Sequence, residues 1–326
     1  MDKIRAALLG FGNVARAFAR TATELSIVGV ADRTCALCLD RSDELLTLIE
    51  HKEAGKSLRE YPSAARRLDV AELLGLLLSI GVSVVIESLP TNLQYGQPAL
   101  GWILTVLSQG IAVVTVDKGP LVCGYDSLIA AARSGGARLA FQGTAGVWPP
   151  AAVFEHEVVE IEGILNGTTN HILSGMCESG LGFEEALREA QLRRIAEPDP
   201  KLDVDGWDAA AKILILSRAL MKGRTALCDV ARTGIDATTQ RLVDKARSTG
   251  RVVRLLARAR SSPVGVQLSV APEIIGPESP FFAVAGTEKA AIFHTAGRDR
   301  FFVPGFSGRG SIARIIMDDV RSVTHS

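Results

Sequence analysis

The sequence has no surplus of charge. Its 36 basic and 36 acidic side chains cancel, which argues against a nucleic-acid or membrane surface as partner. It also lacks a long hydrophobic run: no apolar stretch reaches the roughly 18 residues that would span a bilayer. Met1-Asp2-Lys3-Ile4-Arg5 runs straight into a strand-like segment without a signal peptide's apolar region, so a soluble, cytoplasmic protein is expected. Cysteine is sparse and odd in number, five in 326 residues, which argues against a disulfide framework. Cys35 and Cys38 form one C-x-x-C, but no second pair or His-x-x-x-His completes a zinc site. Internal repeats and low-complexity tracts are absent too. A chain of 326 residues is too long for one comfortable core and implies two domains.

What is present begins with glycine. Ile4 to Leu9 reads as a short apolar strand, followed by Gly10-Phe11-Gly12-Asn13-Val14-Ala15 and an alanine-rich helix to about Thr23. This is G-x-G-x-x-A between a strand and a helix, the context that a dinucleotide fingerprint requires. Gly10 permits the tight turn, Gly12 lets the backbone approach a pyrophosphate, and Ala15 keeps helix and strand close. The phosphates would sit on the helix N-terminus, where N–H groups and the dipole attract them. A second strand, Ile27 to Ala31, ends at Asp32, where the acid that binds the adenosine ribose belongs. Asp32 favours NAD by accepting from the 2′-hydroxyl, whereas Arg33 favours NADP by pairing with a 2′-phosphate. The two signals oppose each other.

Further elements follow the same alternation. Helices are read over Arg41 to Lys56, Val70 to Leu78, Pro98 to Gln109 and Leu121 to Arg133, and strands over Val82 to Ile86, Ile111 to Val116 and Ala137 to Phe141. Ligands of doubly wound sheets collect beyond the strands' carboxyl ends, where Ser88, Thr91, Asn92 and Lys118 fall. Glycines and Pro149-Pro150 then break the pattern between Gln142 and Pro150. The domain boundary is placed there, giving a first domain of 1–145, to which a closing helix of about 305–326 returns, and a second of 146–304. In the second half, strands are read over Glu157 to Leu165, Arg251 to Ala259, Gly265 to Ala271, Phe282 to Val284 and Ala290 to Thr295. These do not alternate regularly with helices, so a mixed α+β sheet with helices on one face is expected.

The densest chemistry lies between Gly163 and Leu216. Asp208 and Lys212 are four apart in an apolar-patterned run, so a helix puts both on one face. Before them Glu197, Asp199, Asp203 and Asp205 alternate with Pro198 and Pro200, which reads as a rigid acidic loop. Such a site can hold an amino group on its carboxylates and a hydroxyl or carboxylate on its ammonium. The plain alternative is a helix capped by Asp205, with Asp208 and Lys212 as a surface bridge worth a few tenths of a kcal/mol.

Taken together, Gly163-Ile164-Leu165-Asn166-Gly167-Thr168-Thr169-Asn170 and Ala196-Glu197-Pro198-Asp199-Pro200, with Asp203, Gly206, Asp208 and Lys212, resemble the homoserine dehydrogenase family, in its short form without a regulatory ACT domain. The resemblance covers nearly the whole chain. It implies a Rossmann domain and a substrate-binding and dimerisation domain that interconvert homoserine and aspartate 4-semialdehyde, toward threonine, methionine and isoleucine. Lys118 and Lys212 match the family's active-site lysines, and Glu197, Asp203 and Asp208 the carboxylates of its homoserine pocket, with Gly167 and Thr169 beside them. Gly10, Gly12, Asn13 and Val14 match the phosphate loop, and Asp32, Arg33, Ser88, Thr91, Asn92 and Lys118, at the strand ends, are the further candidates for the cofactor site. The implied cofactor is NADP or NAD, with NADP placed ahead; the implied assembly is a homodimer.

The family also implies a monovalent cation on the backbone of Ala145 and Val147, where Gln142 stands in place of the usual acid. Arg194 replaces a common helix-ending glycine, so it must adopt a left-handed conformation or alter the cap. Two other readings remain: a related dehydrogenase for another small amino acid or aldehyde, and a dinucleotide-sensing protein without turnover.

Overall fold

The computed structural model describes residues 3–39, 44–62 and 66–324. Two compact units divide the chain, Met1–Thr144 with Gly308–Ser326, and Ala145–Ser307.

In the first unit the strands are β1 (Ile4–Leu9), β2 (Leu25–Ala31), β3 (Ala36–Cys38), β4 (Arg66–Leu68), β5 (Val84–Glu87), β6 (Ala112–Thr115) and β7 (Leu139–Ala140). Between them run α1 (Asn13–Thr21), α2 (Glu44–Glu53), α3 (Val70–Leu76), α4 (Ala99–Ser108) and α5 (Lys118–Gly135). The sheet order is β4-β3-β2-β1-β5-β6-β7. From β2 to β7 all neighbours are parallel. Strands β5 and β6 are buried along their whole length, which is why they read as unbroken apolar runs rather than alternating ones. The winding reverses at β1, between β2 and β5, so the crevice beyond these strand ends is where such a sheet holds a ligand. This is the doubly wound fold expected from the glycine turn.

Three details differ from the sequence reading. The antiparallel edge strands β3 and β4 were not anticipated; at three residues each they are too short to show a period. Of the helix expected over Arg41 to Lys56, residues 41–43 lie outside the described residues, α2 takes up Glu44–Glu53, and residues 54–56 fall beyond its end. Helix α5 starts at Lys118, not Leu121, because Asp117 caps it: its Oδ1 accepts from the Gly119 N–H at 2.9 Å. Pro120 falls in the first turn, where the missing N–H costs nothing.

The second unit contains β8 (Val158–Ile164), α6 (Gly167–Ser174), α7 (Phe183–Leu192), α8 (Lys201–Val204), α9 (Trp207–Met221), β9 (Ala231–Arg232), α10 (Gln240–Arg247), β10 (Val252–Ser262), β11 (Gly265–Ile275), β12 (Ala290–Thr295) and β13 (Arg300–Pro304). Its sheet order is β13-β12-β8-β10-β11-β9, antiparallel except where β9 joins β11. Helices α6, α9 and α10 pack against it, as a mixed sheet with helices requires. Val253, Leu255, Ala257 and Ala259 of β10 are buried. Alternating with them, Arg258 bonds Glu162 at 2.9 Å and also reaches Glu273, while Arg260 bonds Glu160 at 2.6 Å, so one sheet face is apolar and the other carries these ion pairs beside buried Leu256 and Ile292.

Phe282 to Val284 is not a strand. Phe282 and Val284 donate back to Ser279 and Phe281 in successive turns, and Phe281 and Val284 fill a small core with Leu256 and Ile292; an apolar triplet was mistaken for a sheet segment. The acidic loop is also not purely loop, since α8 is a helical turn starting after Pro200, with Asp203 inside it. Asp205 does not cap α9: the cap is Gly206, in the left-handed region at φ 79°. Finally α11 (Arg309–Thr324) belongs to the first unit, where its Ala313, Ile316 and Val320 join Phe18 and Ala19 of α1 in the core.

Candidate active site

The first unit builds its site from backbone. Gly10 has φ 95°, and a Cβ there would lie 2.7 Å from the Ser88 carbonyl oxygen, so the turn admits only glycine and brings the ends of β1 and β5 together. At Gly12 a Cβ would meet nothing within 4 Å. Gly12 is also the N-cap of α1 and makes no side-chain cap bond, so the first-turn N–H groups of α1 take no bond from a capping side chain, as a pyrophosphate site requires. Ala15 is buried against the sheet. These residues fit a dinucleotide.

Beyond β2, Asp32 is already engaged. Its Oδ1 accepts from the Thr34 N–H at 2.7 Å and the Thr34 hydroxyl at 2.5 Å, and its Oδ2 accepts from Lys52 Nζ at 2.8 Å. Burial works to raise its pKa, but the bonds from Lys52 and Thr34 outweigh it and hold the carboxyl below its ordinary value. Lys52, on α2, is a residue that sequence reasoning missed. Twenty positions separate it from Asp32, and no local spacing announces the pair. Arg33 follows Asp32 and is exposed, and Arg59 donates to the Thr34 carbonyl at 2.8 Å.

At the ends of β5 and β6 the structure gathers Glu87, Thr91, Thr115, Asp117 and Lys118. Glu87 is fully buried; its carboxyl accepts from the Thr115 hydroxyl at 2.5 Å and the Leu89 N–H at 2.6 Å. Burial first, then the neighbouring Asp117 charge, pushes its pKa up to about 8. Asp117 is raised by burial as well, against bonds from Thr91 and Gly119 that lower it. Lys118 is half-buried at the start of α5. Asn92 uses its side chain locally, accepting from the Gln94 and Tyr95 N–H groups at 3.0 Å each.

The second unit builds its site from side chains. Asn166 is the hub: its Nδ2 donates to Asp203 Oδ1 at 2.6 Å and to Asp208 Oδ2 at 2.8 Å. Its Oδ1 accepts from the Thr169 N–H at 2.9 Å and so caps α6. Lys212 donates to Asp208 Oδ2 at 2.5 Å and to the Leu165 carbonyl at 2.9 Å. With side chains only 12% and 14% exposed, this is no solvated surface bridge. Burial, then the Asp208 charge, raises the Asp203 pKa against the bonds from Asn166 and Thr168. Gly167 is required because a Cβ there would lie 2.7 Å from the Thr287 carbonyl oxygen. Thr169 is buried with its hydroxyl turned to Asn166 at 3.1 Å, whereas Thr168 is the threonine that reaches Asp203. Glu197 is exposed, tied through its backbone carbonyl to Gln191 Nε2 at 3.3 Å. Of the two outcomes open to Arg194, it takes the left-handed conformation, with φ 57°.

Among the described residues no cluster of three or more His, Cys, Asp or Glu side chains could hold a metal ion. No helix among them is long and apolar enough to cross a membrane.

A glycine turn shaped for a dinucleotide in one unit, and converging acids with a buried lysine in the other, define the class: a nicotinamide-dependent oxidoreductase acting on a CH–OH group of a small molecule. Comparison with known proteins narrows this. The sequence model described as homoserine dehydrogenase matches residues 152–320. The homoserine dehydrogenase of Methanocaldococcus jannaschii is 31% identical over 98% of this chain and 98% of its own length. An NAD(+)-dependent homoserine dehydrogenase of Pseudomonas canavaninivorans is 29% identical over 100% of this chain and 97% of its own. Among solved structures, a hyperthermophilic archaeal homoserine dehydrogenase in complex with NADPH superposes with a TM-score of 0.80 at 25% identity, covering 99% of this chain and 98% of that one. The chain belongs to the homoserine dehydrogenase family.

Proposed function

We propose that the protein interconverts L-homoserine and L-aspartate 4-semialdehyde with NADP or NAD, in the biosynthesis of threonine, methionine and isoleucine. The observation that carries this reading is the convergence of Asp203 and Asp208 on Asn166, with Lys212 bonded to Asp208. An amino acid with a terminal hydroxyl needs such a set: carboxylates for its ammonium and a cationic proton carrier for its oxygen.

When bound, the dinucleotide takes up hydride in the oxidation and gives it back in the reduction. The chain's own residues do the rest. Asp203 and Asp208, with Glu197, receive the substrate ammonium, while Gly167 and Thr169 shape the backbone beside it. Lys212 and Lys118 stabilise negative charge on the reacting oxygen and carry its proton, which leaves in the oxidation and returns in the reduction. Gly10, Gly12, Asn13 and Val14 hold the pyrophosphate, and Ser88, Thr91 and Asn92 border the nicotinamide half.

NADP is placed ahead of NAD. Lys52 neutralises Asp32, the acid that would select a ribose hydroxyl, and Arg33 adds a second cation for a 2′-phosphate. The monovalent cation fits poorly. A Cβ on Gly146, between Ala145 and Val147, would lie 2.9 Å from Lys289 Nζ, and an ammonium so near that backbone opposes a second cation. No step is routed through one. Assembly as a homodimer through the second unit is supported by the sheet face where Phe302 stays exposed and where a cavity of about 540 Å³ is lined by Phe281, Ile292 and Phe302 beside Arg258 and Glu273.

The test is the rise in absorbance at 340 nm with L-homoserine and either dinucleotide at mildly alkaline pH. Turnover is expected. Its absence, in protein shown to bind the dinucleotide, would overturn the substrate assignment.

A further inference from the structure

We propose that Asn166 is a positioning residue that sets the charge and spacing of the substrate pocket, holding Asp203 and Asp208 together as one receptor for an ammonium. The inference rests on the function proposed above, but its geometry stands by itself. One amide nitrogen gives both of its hydrogens to two different carboxylates, at 2.6 and 2.8 Å. Trigonal geometry at that nitrogen fixes the two accepting oxygens roughly 4.7 Å apart. Two acceptors of a tetrahedral ammonium stand about 4.6 Å apart. The amide thus spaces the acids at very nearly the interval that an ammonium would bridge.

Two buried carboxylates in one site repel, and one of them tends to keep its proton. The charged groups around Asp203 are Asp208, which raises its pKa, and Lys212, which lowers it. Lys212 is bonded to Asp208 and to the Leu165 carbonyl. Asp203 itself is bonded by neutral donors, Asn166 and Thr168, so its ionisation depends on the amide staying where it is. Asn166 is fixed in turn: its oxygen caps α6 through the Thr169 N–H, and the amide cannot rotate to satisfy one acid alone without losing that cap.

The experiment compares Asn166→Asp and Asn166→Ala with the wild type. Aspartate keeps the oxygen that caps α6 and loses the two amide donors, so it isolates the proposed role from folding. For Asn166→Asp, kcat/KM for L-homoserine should fall at least tenfold and stay low at about pH 9, because ionisation does not restore the two lost donors, while the ratio of variant to wild type should still change with pH because a third carboxylate raises the pH at which the acids ionise. For Asn166→Ala, KM for L-homoserine should rise at least tenfold across the range, with kcat changed less than about threefold. Dinucleotide affinity, read by fluorescence titration, should be unchanged in both. A ratio of variant to wild type that is flat with pH in Asn166→Asp would overturn the proposal. Equal losses in kcat and KM in Asn166→Ala would do the same. Failure of the wild type itself to oxidise homoserine would instead count against the function proposed above.

Discussion

The two sites are made of different materials. In the first unit the dinucleotide turn is backbone: Gly10 and Gly12 act through the side chains they lack, and the helix N-terminus offers its own N–H groups. In the second unit the pocket is side chain on side chain, with Asn166 joining acids 37 and 42 positions away. A backbone site tolerates change wherever the fold survives, whereas a side-chain network fails at each of its members. That contrast orders what mutation should do.

The largest effect is expected at the lysines. Lys212→Ala removes a buried cation bonded to Asp208, and Lys118→Ala the cation at the start of α5; each should lower kcat by about 10²–10⁴ while leaving dinucleotide affinity nearly unchanged. Stopped-flow and steady-state kinetics with homoserine would check this, and near-normal kcat in either variant would remove that lysine from the proposed role.

Next comes the buried acid of the first unit, which has no counterpart in a purely backbone site. Glu87 has a folded pKa of about 8 against an ordinary 4.5. Between those values the folded state holds a proton that the unfolded chain has released, so stability falls as pH rises through this window and levels off above it. Asp319 of α11, raised by burial to about 7, acts in the same direction. Glu87→Gln mimics the protonated acid, accepting from Leu89 as before. Its stability should decline less between pH 5 and 8, and above pH 8 it should exceed the wild type by on the order of a few kcal/mol. Equal slopes in chemical denaturation across that range would sink the argument.

The smallest effect sharpens the comparison where side chains do enter the first site. Lys52→Ala frees Asp32 to accept from a ribose hydroxyl, and Arg33→Ala removes the adjacent cation. Each should shift the ratio of KM values for NADP and NAD roughly tenfold toward NAD, about 1.4 kcal/mol. Equal changes for both dinucleotides would show that these cations do not read the phosphate.

The same contrast explains how much could be read from sequence. G-x-G-x-x-A and the apolar runs around it are local, so the doubly wound sheet, its order of helices and strands, and the glycine turn were all legible. So was the Asp208 and Lys212 pair, because four residues is one helical turn. Lys52 beside Asp32, and Asn166 between its two acids, depend on where distant segments meet, and no period records that. The three-residue strands β3 and β4 fell below the length at which alternation is visible, and the apolar Phe282 to Val284 was read as a strand because burial in a turn leaves the same mark. Arg194 shows the converse: the resemblance left open a left-handed conformation or an altered cap there, and the residue takes the first, at φ 57°.

Helix α11 carries one more implication, for synthesis. The first unit's core includes Ala313, Ile316 and Val320, and Asp319 accepts from the Gln142 N–H at 3.0 Å, tying down the turn that follows β7. A nascent chain has therefore made the whole of the second unit before the residues that seal the first have left the ribosome. Until then the face of α1 that bears Phe18 and Ala19 lacks its cover, so the unit begun first is finished last, and the interval is when chaperones would find it.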